Sequence, residues 1–287
     1  MTETALLFTT KLEFIELVIS TQHWINPNFF VTFDLELETR LMIPTEISKA
    51  FSEALKLDKY KLCGVYFSNE KPENALELKK KGNGCVVPLI LKASTGIPVV
   101  FAEESTGWPC SAFYLGFQDT IFEGIEYFLS DKDDFWRPCE RFIQNPGLAK
   151  TLIDNIHPVK PTKPYLVIKP LEDFIEDEKP ESVLFFVNAD QLSALVFLSH
   201  FDAPGSMDRV LAPFASSCMA LVTLPLKLAR KNEEKAVIGN FDIAARTRMP
   251  ADLLSFALPY AFLKKLAGFL PESFVTTHNW ETIKERI

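Results

Sequence analysis

One unit of helix, strand and turn occurs once in each half of the chain, and this repetition constrains the fold more than any other feature of the sequence. In the first half Cys85 opens the apolar run Val86 to Lys92, Ile97 to Ala102 reads as a strand, and Gly107-Trp108-Pro109-Cys110 reads as a turn. In the second half Cys218 opens Met219 to Lys231, Ala236 to Ile238 reads as the strand, and Gly239-Asn240-Phe241-Asp242 as the turn. Cysteine to glycine is 22 residues in one copy and 21 in the other, so the copies align with almost no gap. The spacing predicts an α/β or α+β fold in which two similar strand-helix-strand halves are related by a pseudo-twofold repeat, with Cys85 to Gly116 superposing on Cys218 to Arg248.

The segments around these units follow from periodicity and punctuation. Leu12 to His23 carries a helical stripe, and Ile43-Pro44-Thr45-Glu46 starts a helix continued by Ile47, Ala50, Phe51, Ala54 and Leu55. Gly64 to Ser68, Tyr165 to Pro170 and Val183 to Val187 read as strands, the last two as buried ones. Asn188 caps a helix with Leu192, Leu195, Val196 and Leu198 on its apolar face, and Leu253 to Leu270 reads as an apolar helix. Residues 127 to 164 hold the cluster Asp131 to Asp134 and five prolines, which predicts a connector. The organisation is then an N-terminal helical segment over 1–56, a first unit over 57–126, the connector over 127–164, a second unit over 165–250, and a C-terminal helix and tail over 251–287, all within one domain.

Composition excludes several classes. The net charge is −8 and no Lys/Arg run exceeds Lys79-Lys80-Lys81, which argues against nucleic acid as a partner. About 18 uninterrupted apolar residues occur nowhere, so no membrane span is expected. The first residues lack a basic start, and Lys11, Glu13 and Glu16 break the apolar stretch, as in a chain without a signal peptide. Five cysteines, an odd number, read as free thiols in a reducing compartment, and the protein is expected in the cytosol. A homo-oligomer is compatible with this sequence.

The chemistry-bearing candidates are the repeat cysteines. If the two units face each other, Cys85, Cys110 and Cys218 share one region, with Asp242 where the repeat would place a fourth cysteine. Three thiolates and a carboxylate suit an iron-sulfur cluster or zinc. Against that, no cysteine stands in a C-x-x-C pair, and free cysteine ordinarily behaves as a small buried apolar residue. Cys63 and Cys139 have no counterpart in the other half and read as structural. Arg246, four residues after Asp242, fits either a local ion pair or a guanidinium that holds a carboxylate or phosphate. His23, His157, His200 and His278 are scattered, none at metal-ligand spacing from another, and His200 at a helix end is expected to be satisfied by backbone carbonyls. Neither G-x-G-x-x-G nor a P-loop occurs.

Gly84-Cys85 with its apolar helix, Gly107-Trp108-Pro109-Cys110 running into Leu115-Gly116-Phe117, Ser216-Ser217-Cys218, Gly239 to Arg246, and Glu272-Ser273-Phe274 leading to Trp280 together resemble the prokaryotic family named domain of unknown function 169. The resemblance covers Leu57 to the C-terminus and implies no activity and no catalytic residue. Three functions stay open. One is a small-ligand binder with Trp108, Cys110, Asp242 and Arg246 around a cleft between the repeats. The second is a metal or iron-sulfur redox enzyme using Cys85, Cys110, Cys218 and Asp242. The third is an interaction module in which the repeat serves stability alone.

Overall fold

The structure is a computed structural model that describes residues 42–78, 84–106, 109–130 and 139–287; the helix expected over Leu12 to His23 lies outside them. Helix α1, Pro44–Leu55, begins where expected. Pro44 supplies the fixed φ of a first turn, and the Glu46 carboxylate accepts from the backbone N–H of Ile43. Ile47, Phe51 and Leu55 are fully buried on one face, the outcome of their three-four spacing. Lys56 ends the helix in the left-handed region, where its N–H returns to the Ser52 carbonyl.

Eight strands follow: β1 Cys63–Ser68, β2 Leu76–Glu77, β3 Val99–Phe101, β4 Tyr165–Pro170, β5 Ser182–Val187, β6 Val210–Leu211, β7 Ala236–Gly239 and β8 Leu254–Pro259. They form one mixed sheet in the order β2-β3-β4-β1-β5-β8-β7-β6. Only β2/β3 and β6/β7 are parallel; the rest pair antiparallel. At the centre β1 pairs with β5, setting Cys63 opposite Leu184, Gly64 opposite Val183 and Val65 opposite Ser182. The other helices are α2 Val87–Ala93, α3 Pro109–Tyr114, α4 Ile125–Ser130, α5 Pro146–Asp154, α6 Ala189–Ser199, α7 Leu224–Arg230, α8 Ile243–Arg246, α9 Tyr260–Phe269 and α10 His278–Lys284. No helix among the described residues is long and apolar enough to cross a membrane.

The core is two apolar layers separated by the sheet. Val183, Phe185 and Val187 of β5 point to one side, with α1, α6 and α9, whereas Leu184 and Phe186 point to the other, with α2, α3 and α7. Both faces are therefore dry, which is why the central strands read as continuous apolar runs. Phe51, Phe185 and Phe256 make edge-to-face contacts in the first layer. Trp280 of α10 closes this layer, its indole N–H donating to the Ala54 carbonyl at 2.8 Å.

Three expectations change. The apolar stretch from Leu253 is β8 before it becomes α9, because Leu254–Pro259 sits between β5 and β7 with both faces buried, and such a run has no period to separate strand from helix. Pro259 ends the strand and precedes the first helical residue. The run after Cys218 is also not one uniform helix. Met219–Thr223 is a π-helical turn in which the Leu224 N–H reaches back five residues to Met219, and α7 follows with Pro225 in its first turn. Pro225 has no N–H for an i−4 bond, so a wider turn at this point loses less. Finally, the connector contains α5, where Asn145 caps the Leu148 N–H and Pro146 occupies the first helical position, so proline starts a helix here.

Gly116 follows α3 at φ +84°, and a Cβ there would lie 1.9 Å from the Val159 carbonyl oxygen, which is backbone and has no freedom to yield. Gly96 has φ +98° with open space around it. Gly96→Ala should cost about 1 kcal/mol of backbone strain, whereas Gly116→Ala should cost about 3–5 kcal/mol. Urea midpoints of the two variants check the difference, and equal losses would show that the approach of Val159 is not fixed.

Candidate functional site

On the sheet face covered by α2 and α3 lies a cavity of about 700 Å³. Its wall takes Cys85, Cys110 and Tyr114 from the N-terminal half of the chain, and Ser216, Cys218, Asp242, Ala245 and Arg248 from the C-terminal half. The remaining wall comes from the connector and the loop before it, with Phe122, Phe128, Glu140, Phe142, Ile143 and Leu152. Phe214, Phe241 and Ile243 also line it and are 71%, 44% and 63% exposed, which places them at the mouth.

Asp242 is held by the backbone. Its side chain caps α8, one oxygen accepting from Ala244 N at 3.0 Å and Ala245 N at 3.4 Å, while the other accepts from Ser217 N at 3.3 Å. The sequence arranges this with Asn240, which adopts φ +69° and turns the chain from β7 into α8. The carboxylate thus ties the start of α8 to the segment that carries Cys218.

The thiols differ from one another. The Cys218 S–H donates to Cys85, and with the Val87 N–H and the nearby Arg248 it brings the Cys85 thiol down to about 7, against burial and the Asp242 charge. Cys218, buried and beside Cys85, is raised well above the ordinary thiol value. Burial, with Cys85 and Asp242, pushes Cys110 up to about 11. Burial also raises Tyr114, reinforced by Cys110 and Cys218, and raises Glu140, which feels Asp242 against it and Arg248 in its favour. These mutual effects place the thiols, Asp242, Glu140 and Arg248 around one polar region of an otherwise apolar cavity. Cys85 is thus the most acidic of the three thiols, while Cys110 and Cys218 are held protonated.

The structure brings together Cys85, Cys110, Cys218 and Asp242 on one cavity wall. Among the described residues no group of three or more His, Cys, Asp or Glu stands close enough to hold a metal ion. Arg246 is not on the wall: its guanidinium donates to the carbonyls of Ala251, at 2.6 Å, and Leu253, pinning the loop between α8 and β8. Trp108 lies outside the described residues. Cys63 is fully buried on the sheet and its thiol, raised by burial, donates to the Lys61 carbonyl at 3.5 Å. His200 Nδ1 bonds the Val196 carbonyl at 2.8 Å, and Asp202 pairs with Arg209 and Lys265. Sequence reasoning missed Arg248, Glu140 and Tyr114. Arg248 had a signal in its position two residues past Arg246 at the end of α8, whereas Glu140 lay in a stretch read as a connector and had none.

A family model, DUF169, described as an uncharacterised ArCR, matches residues 50–268, a span that contains every described wall of the cavity. No curated protein and no solved structure matches the chain. With that span covering most of its length, the chain belongs to the DUF169 family.

Proposed function

We propose that the protein binds a small ligand with a mainly apolar body and a polar end, in the cavity between its two repeat units. The observation that carries this reading is the cavity itself: its size lies in the range of small-molecule sites, and its aromatic and aliphatic walls surround a few convergent polar groups. Phe122, Phe128, Phe142 and Ile143 suit the apolar body, and Arg248 and Asp242 suit a polar end group.

The relation between the halves is part of the proposal. What supports it is the strand order, in which β2-β3-β4-β1 and β5-β8-β7-β6 run outward from the central β1/β5 pair in corresponding sequence. Each arm ends in a parallel pair of two registered residues, Leu76 and Glu77 on β3 and Val210 and Leu211 on β7. Between the strands of each parallel pair lies a helix preceded by a cavity cysteine, Cys85 or Cys218. This arrangement supports a site fed by both units, as ligand sites favour such junctions.

An apolar fluorescent anion, anilinonaphthalene sulfonate, should bind the folded protein at one saturable site. Phe128→Asp, which puts a carboxylate on the apolar wall, should weaken that binding at least about tenfold while the melting temperature stays within a few degrees. Unchanged affinity in a folded Phe128→Asp variant would defeat the reading. Metal and acid-labile sulfide analysis of protein purified without oxygen separates the metal alternative. Stoichiometric iron or zinc, lost in Cys85→Ser, would replace an apolar ligand with a metal centre.

The thiols give a pH test of the same region. The rate of Cys85 alkylation by iodoacetamide should rise through about pH 7, since below that value the thiol is protonated and weakly nucleophilic. An ordinary cysteine rises through about 8.5. Peptide-resolved alkylation rates across pH 5 to 10 read the midpoint, and a midpoint at or above the ordinary value would contradict the hydrogen bond from Cys218.

A further inference from the structure

We propose that Cys85 and Cys218 form a redox-active dithiol that a hydroperoxide entering the cavity converts to a disulfide joining the two units. Two observations point there. The thiols come from segments 133 residues apart in sequence, yet both pack into the same buried apolar cluster, where each shifts the other's ionisation. Both also line the cavity, so a reagent that enters it reaches the pair without unfolding the sheet. The proposal uses the cavity described above but does not depend on a resident apolar ligand.

Cys85 is the first to react. It is partly exposed, whereas Cys218 is 6% exposed. The Cys85 sulfur attacks the terminal peroxide oxygen, so an S–O bond forms as the O–O bond breaks, and the departing alkoxide takes a proton and leaves as an alcohol. Cys85 is then a sulfenic acid. The Cys218 sulfur attacks Cys85 Sγ and forms the S–S bond, while the hydroxyl leaves with the Cys218 proton as water. Two thiols and one hydroperoxide give one disulfide, one alcohol and one water. To form the bond the sulfurs must close to about 2.05 Å, through rotation of both side chains. Cys218 opens the π-helical turn, where the backbone is already off the regular helical path.

Cys110 is on the same wall, but the thiol that bonds Cys85 is that of Cys218, so Cys110 is a bystander. The apolar walls favour an organic hydroperoxide over hydrogen peroxide, because the organic group gains contacts with Phe122, Phe128 and Phe142 that hydrogen peroxide lacks.

The test treats the reduced full-length protein with cumene hydroperoxide or hydrogen peroxide and follows intact mass, with peptide mapping under non-reducing conditions. The expected result is loss of two hydrogens, one cross-linked peptide pair containing Cys85 and Cys218, reversal by dithiothreitol, and faster formation with cumene hydroperoxide. Cys110→Ser should still form the link, and Cys218→Ser should stop at a Cys85 sulfenic acid that dimedone traps. A link from Cys85 to Cys110, or Cys85 over-oxidised with Cys218 still free in the native protein, would overturn the pair. Anilinonaphthalene sulfonate binding on the same samples separates the two proposals: dye binding without a disulfide defeats only the dithiol, and a disulfide without dye binding defeats only the ligand reading.

Discussion

The pairing of β1 with β5 holds two four-stranded arms in one sheet, and every other layer depends on it. That pairing has little tolerance at Gly64. A Cβ there would come within 2.5 Å of the Phe174 ring and 3.2 Å of Pro180, so the strand sits closer to its neighbours than a side chain would permit. The approach is also where Phe174 stacks near Tyr66, with Lys169 over both rings and paired to Glu178. Glu178 accepts from Tyr66 as well, and against the penalty of burial the hydrogen bonds from Lys169 and Tyr66 hold its carboxyl below the usual carboxylate range. A charged group is thereby kept beside the core without an unpaired charge, which would be far more costly than the pair is stabilising.

From that centre the chain builds outward to edges that are short. β2 and β6 have two residues each, so the sheet offers little unpaired backbone to another chain at either end. The antiparallel middle leaves the connections on the faces, and on one face they enclose the cavity. Asp242 and Thr223 fix this side. The first ties α8 to Ser217, and the second donates its hydroxyl to the Tyr114 carbonyl at the end of α3.

Much of the frame was legible in the sequence. Asn188 with Gln191 is a reciprocal cap and starts α6 where read, with both side-chain to backbone bonds present. Tyr165–Pro170 is the strand expected, and β5 begins one residue before Val183. Cys85, Cys110, Cys218 and Asp242, singled out by their spacing, line one cavity. What escaped had physical causes. The two-residue strands carry no period, and β8 is buried on both faces, so alternation never appears. The connector's prolines looked like interruptions, while Pro146 starts a helix whose Leu152 reaches the cavity. Arg246 fits by spacing either an ion pair with Asp242 or a carboxylate or phosphate of a ligand, yet its guanidinium donates to the carbonyls of Ala251 and Leu253 while Asp242 accepts from backbone amides.

The apolar rim has a thermodynamic consequence of its own. Phe214, Phe241 and Ile243 are exposed, so an occupant that covers them removes their apolar surface from water along with its own. Such a step carries a negative heat-capacity change, and its enthalpy shifts steadily with temperature while the free energy moves little. The split of any such association between enthalpy and entropy therefore shifts with the temperature at which it is measured.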